Sequence, residues 1–205
     1  MSITQVEEIA CIFLKRGIAV QSTVHTFSTT GDKDLLTSLR DLGKTDFFTK
    51  EIDDALLAKQ FDLAIHAAKD LPETLPKGLS LLYMTDSIDP RDALVIKPGY
   101  VAKQNPVVGV SSERREKMVT RVWRDAVFKD IRGTVPHRLS LLDKGEYDAV
   151  VVAEAALLRL GLEGRQRIYL PGETAEHQGR LALLCRTEEL DSFTRILKLP
   201  SEVVV

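Results

Sequence analysis

Short β-branched runs separated by helical patterns constrain this chain more than any other feature. Residues 93–96, 107–110, 127–131 and 149–152 each read as a strand, and helical spacing fills 112–123 and 135–144 between the last three. Alternation of that kind predicts an α/β protein, in which a sheet of mostly parallel strands carries helices on its faces.

The flanking parts predict a second sheet. Residues 4–15 read as a helix, with Val6, Ile9, Ala10, Phe13 and Leu14 at helical spacing, a Thr4–Glu7 capping box and Gly17 as its stop. Alternation over 19–27 reads as a strand, 28–32 as a loop, 41–47 as a second loop, and 49–58 as a helix whose core face holds Ile52, Ala55 and Leu56. Residues 62–68 and 79–84 read as strands, and the turn-rich, charged segment 86–92 as a linker. The apolar run 181–185 and a closing helix over 191–197 return to this first sheet. Two domains follow, residues 1–87 with 181–205 and residues 88–180, joined by two crossings.

The run Asp62-Leu-Ala-Ile-His-Ala-Ala-Lys-Asp70-Leu-Pro72 stops at a lysine and a carboxylate. In open α/β sheets the carboxyl ends of strands are where ligands bind, so Lys69 and Asp70 are site candidates by position. A solvated surface pair, contributing almost nothing, is the alternative. His66 lies inside the run among apolar neighbours and reads as a hydrogen-bonded core histidine.

Basic residues recur at two strand-to-helix junctions. Ser111-Ser112-Glu-Arg114-Arg115 places hydroxyls at a helix start, where they cap, together with arginines that the positive end of the macrodipole disfavours. Arg132-Gly-Thr-Val-Pro-His-Arg138 repeats the theme, with Thr134 as cap and Pro136 in the first turn. Helix N-termini with hydroxyls and guanidinium groups can cradle a carboxylate or phosphate. Solvated arginines are again the alternative. With Lys69, the two junctions predict a cleft for a polyanion.

Composition narrows the classes. A net charge of −2 argues against a general nucleic-acid surface, and no apolar stretch approaches the ~20 residues that span a bilayer. Cys11 and Cys185 lie in apolar runs without metal or redox spacing, which suggests buried thiols in a reducing, cytoplasmic setting. His25, His137 and His177 have no metal-ligand spacing. No Walker loop, Gly-x-Gly-x-x-Gly or Gly-x-Ser-x-Gly elbow is present.

Five motifs carry a resemblance: Ile65-His-Ala-Ala-Lys-Asp-Leu-Pro72, Asp89-Pro-Arg-Asp-Ala-Leu94, Ser111-Ser-Glu-Arg-Arg115, Arg132-Gly-Thr-Val-Pro-His-Arg138 and Leu142-Asp-Lys-Gly-Glu-Tyr-Asp-Ala149. In this order, and continued by 153–162 and Gln178-Gly179, they resemble the hydroxymethylbilane synthase (porphobilinogen deaminase) family. The resemblance implies a two-domain architecture like type II periplasmic binding proteins, followed in the family by a third domain whose cysteine holds a dipyrromethane cofactor. It implies a transferase of tetrapyrrole, porphyrin and haem biosynthesis that condenses four porphobilinogen molecules into hydroxymethylbilane with release of ammonia. A monomer is expected, with porphobilinogen and polypyrrole intermediates as partners and neither nucleic acid nor membrane. By the same resemblance Asp70 is the catalytic carboxylate, holding pyrrole N–H groups and stabilising the cationic azafulvene. Lys69, Arg114, Arg115, Arg132, Arg138 and Arg159, together with Ser111, Ser112 and Lys44, match positions that bind substrate and cofactor carboxylates. A non-catalytic two-lobed module for a pyrrole or small polycarboxylate is the alternative.

Several positions depart from the family pattern. The family's opening strand and its arginine-and-serine loop precede the start of this chain, and the third domain would begin where it stops, so the attachment cysteine is not present. Cys185 reads as core. The family's Thr-Arg-Gly-Asp is Thr29-Thr-Gly-Asp32, and its Gly-Lys-Gly is Gly43-Lys-Thr-Asp46. Ala67 replaces a serine, Val110 a threonine and Ala156 a glycine.

Overall fold

A computed structural model describes residues 2–34 and 46–199. Most of the loop expected at 41–47, Lys44 included, lies outside the described residues; within it, Asp46–Phe48 is a 3₁₀ turn. The helices are α1 (Ser2–Lys15), α2 (Thr30–Lys33), α3 (Lys50–Leu57), α4 (Glu113–Thr120), α5 (Val135–Asp143), α6 (Glu154–Arg159) and α7 (Leu190–Ile196). The strands are β1 (Ala64–Ala67), β2 (Leu79–Met84), β3 (Asp92–Ile96), β4 (Val107–Gly109), β5 (Val127–Lys129), β6 (Ala149–Ala153), β7 (Arg167–Tyr169) and β8 (Leu181–Arg186). Contacts divide the described chain into two compact units, one of residues 2–33, 46–87 and 180–199, the other of 34 and 88–179.

The first unit is built on an antiparallel sheet in the order β1-β8-β2, with Ala64 opposite Leu184 and Leu79 opposite Arg186. Every residue of β8 is buried, because both faces are covered. Leu181, Leu183 and Cys185 face a core with Ile9 and Phe13 of α1 and Leu197, while Leu184 faces Leu56, Ala64 and Leu79. On α1 the buried stripe is Gln5, Ile9 and Phe13 rather than the full apolar set, for Leu14 is 65% exposed. Gly17, at φ +74°, ends the helix as expected.

Residues 19–27 do not form the expected strand. They pair with none of the three strands, and Val20 and Val24 are both 47% exposed. Alternation specifies a strand only where a neighbour supplies a ladder and a core face to bury. The segment instead rests on Phe61, through His25 at 6.3 Å and Phe27 at 5.4 Å between ring centroids. The loop expected at 28–32 gains a helical turn, α2, whose Thr30 N–H donates to Glu51 Oε1 at 2.8 Å.

In the second unit the sheet order is β5-β4-β6-β3-β7. β4 runs parallel to β5 and β6, but β3 is antiparallel to β6 and β7. The expectation of mostly parallel strands therefore holds for direction and fails for pairing, since β3 alone runs against the rest. The reason is local: α4 and α5 return the chain for parallel strands, whereas no helix separates β3 from β4. Ala93, Val95, Val150 and Val152 face α5 and α6, while Leu94, Val108, Ala149 and Val151 face α4. Asp92, expected at the end of a linker, is instead the first residue of β3 and wholly buried.

Candidate functional site

Asp70 stands where β1 turns into a 3₁₀ turn, Ala68–Asp70. The Ala68 N–H still donates to the Arg180 carbonyl at 3.1 Å, continuing the ladder beside β8, before Leu71 N–H closes back on the Ala68 carbonyl at 3.3 Å. Ala68 is buried and anchors the turn, leaving Lys69 and Asp70 half-buried at the strand's end. His66 lies opposite Asp53 of α3, with Nε2 3.1 Å from Oδ1 and both side chains almost fully buried. It is the hydrogen-bonded core histidine that its neighbours predict.

The two basic junctions of the second unit come together. Ser111, buried after β4, donates from Oγ to the Ile131 carbonyl at 3.0 Å and accepts from Arg138 Nη1 at 3.1 Å. Arg138 Nε donates to the Gly133 carbonyl at 2.8 Å, and Arg132 Nη2 to the Asp34 carbonyl at 2.7 Å. Gly133 has φ +91°, and a Cβ there would lie 2.6 Å from the His137 ring, so the junction requires glycine. Burial, followed by the nearby charges of Arg115 and Arg132, pushes the Arg138 guanidinium down to about 10, against weaker support from Asp130 and Tyr147. Such crowding of cations suits a polyanion.

Arg114 and Arg115 share a partner that the sequence reading missed. Arg115 donates to Asp92 Oδ1 from Nε at 3.1 Å and Nη2 at 2.7 Å, and Arg114 Nη1 donates to Oδ2 at 2.9 Å and to the Glu173 carbonyl at 2.8 Å. Gln178 Nε2 adds a donor to Oδ1 at 3.0 Å and one to the Pro90 carbonyl at 2.8 Å. Burial pushes the Asp92 carboxyl up, but the two guanidinium groups more than offset this and hold it below the usual range. The signal was present: an aspartate opening an all-apolar strand requires buried partners.

Ser112 is engaged as the α4 cap, accepting from Arg115 N–H at 3.4 Å. Arg159 donates from Nη2 to the Gly179 carbonyl at 2.8 Å, next to the Gln178 that bonds Asp92. The second unit therefore holds Ser111, Ser112, Arg114, Arg115, Arg132, Arg138 and Arg159, and the first holds Lys69 and Asp70.

A family model described as "Porphobilinogen deaminase, dipyromethane cofactor binding domain" matches residues 1–193. The porphobilinogen deaminase of Nostoc sp. is 39% identical over 180 residues, covering 83% of this chain and 56% of that protein. The probable porphobilinogen deaminase of Chlamydia muridarum is 44% identical over 163 residues, covering 78% and 66%. The chain thus spans between about half and two thirds of the length of these relatives. Among solved structures, the LysR family transcriptional regulator CbnR matches with TM-score 0.54 at 12% identity, over 96% of this chain and 65% of that one, a likeness of fold alone. With a family model spanning nearly all of its length and relatives 39% and 44% identical to it, the chain belongs to the porphobilinogen deaminase family.

Proposed function

We propose that this chain carries hydroxymethylbilane synthase activity, condensing four porphobilinogen molecules head to tail with release of ammonia, as a cytoplasmic monomer acting on porphobilinogen and polypyrrole intermediates. The observation that carries the reading is the partly buried cation group around Ser111, where Arg138 Nη1 donates to Ser111 Oγ at 3.1 Å and Arg115 and Arg132 stand near enough to oppose its charge. Porphobilinogen presents acetate and propionate carboxylates, and relieving that repulsion favours binding them. The names of the matched relatives support the same substrate.

In this reading Arg115, Arg132, Arg138 and Ser111 bind carboxylates, with Arg114, Ser112, Lys69, Arg159 and Lys44 contributing further polar groups. Asp70 accepts the pyrrole N–H. As the C–N bond breaks and the electron pair leaves with ammonia, positive charge spreads over the ring and makes that N–H a stronger donor. The hydrogen bond to Asp70 therefore strengthens in the transition state. A dipyrromethane cofactor, when bound, supplies the pyrrole carbon at which the chain begins. The residues present fit such a polycarboxylate, because Arg138, half-buried and bonded to Ser111 at 3.1 Å, has two further guanidinium groups near it.

Incubation with porphobilinogen, followed by acid oxidation, should give uroporphyrin absorbance. Asp70→Asn should lower turnover about 100- to 1,000-fold while porphobilinogen binding persists. Saturable binding without any turnover by the unaltered chain would replace the enzyme with a binding module.

A further inference from the structure

Asp92 is an acid at the centre of a basic cluster. Its side chain is fully buried, each oxygen is bonded to a guanidinium, and Gln178 fills a further lone pair of Oδ1. The elements that meet there are the start of β3, the first turn of α4, the Glu173 backbone and Gln178. Without a carboxylate, Arg114 and Arg115 would meet the positive end of α4 and each other's charge, and Arg115 that of Arg138 as well. We propose that Asp92 is a positioning residue for carboxylate binding: it holds Arg114 and Arg115 in place against that repulsion, so that Arg115 completes the anion site with Ser111, Arg132 and Arg138. The inference rests on reading this cluster as the substrate-carboxylate site.

The sign of one substitution separates positioning from simple electrostatics. Asp92→Asn removes a negative charge from an anion site, and Coulomb's law alone makes the variant bind anions more tightly. If Asp92 works through its arginines, the variant binds more weakly, because both guanidinium groups are released. The probe is tricarballylate, a plain tricarboxylate, titrated calorimetrically into the full chain beside the porphobilinogen turnover assay. About tenfold weaker binding by Asp92→Asn is expected, the loss typical of one charged hydrogen bond. In an Arg115→Ala background the same change should have a much smaller effect, since its target is gone.

Equal or tighter binding by Asp92→Asn overturns the inference, as does full additivity with Arg115→Ala. No binding of the probe to the unaltered chain also overturns it, and with turnover intact leaves the proposed function standing. Probe binding that depends on Asp92 while porphobilinogen is not consumed has the opposite outcome, removing the activity and keeping the positioning role. Should Asp92→Asn not fold, nitrogen-15 spectra of the unaltered chain decide. The Arg115 Nε–H donates to a buried carboxylate and is expected to exchange slowly with water, and exchange as fast as that of an exposed arginine overturns the inference.

Discussion

Arg138 illustrates how much a single half-buried cation depends on its surroundings. It donates to Ser111 and to the Gly133 carbonyl, and desolvation, followed by the adjacent guanidinium groups, lowers its proton affinity. A carboxylate ligand reverses the sign of that local field, so binding adds the ligand's hydrogen bonds to the relief of repulsion. Arg132→Ala should weaken porphobilinogen or tricarballylate binding by about 1.5–3 kcal/mol, the range for a charged hydrogen bond, as read by calorimetry. An unchanged affinity would remove Arg132 from the site.

Two junctions between elements fix where these side chains stand. At the start of α5, Gly133→Ala combines a left-handed φ with a clash against His137, so chemical denaturation should show a loss of about 1–3 kcal/mol together with weaker anion binding. Adding His137→Ala should recover the part due to the clash and leave the part due to φ. Just before β6, Asp148 accepts from Val107 N–H at 2.8 Å and pairs with Lys97 at 2.7 Å and Lys103 at 2.8 Å. Burial pushes its carboxyl up, but those donors more than offset this and hold it at about 2. The folded form therefore favours the ionised group more than the unfolded chain does. The resulting stability is fully present above the ordinary value of 3.8 and is lost as pH falls toward about 2. Asp148→Asn should be destabilised by about 2 kcal/mol at pH 7 in urea denaturation, with the gap closing across that acid window.

At the scale of the whole chain, each unit has its own core. Leu183 packs with Ile9, Phe13 and Leu197, whereas Val150 packs with Val95, Leu139 and Leu157. Leu183→Ala should cost about 2–5 kcal/mol, and hydrogen exchange should speed in β1, β2 and β8 while β6 amides keep their protection. Equal loss of protection in both units would show that they unfold together. Much of this organisation was legible in the residues. The apolar run that became β8 announced a strand returning to the first sheet, and the alternation of 107–152 announced strands returned by helices. The basic junctions were legible too, because arginines at helix starts oppose local stability and so call for a partner. The sequence by itself determined where most elements begin and end, since periodicity and capping act over a few residues. Only the tertiary structure decided that β3 runs against its neighbours, that 19–27 has no ladder to join, and that Asp92 sits beneath Arg114 and Arg115. Pairing and burial depend on residues distant along the chain, and no local pattern encodes them.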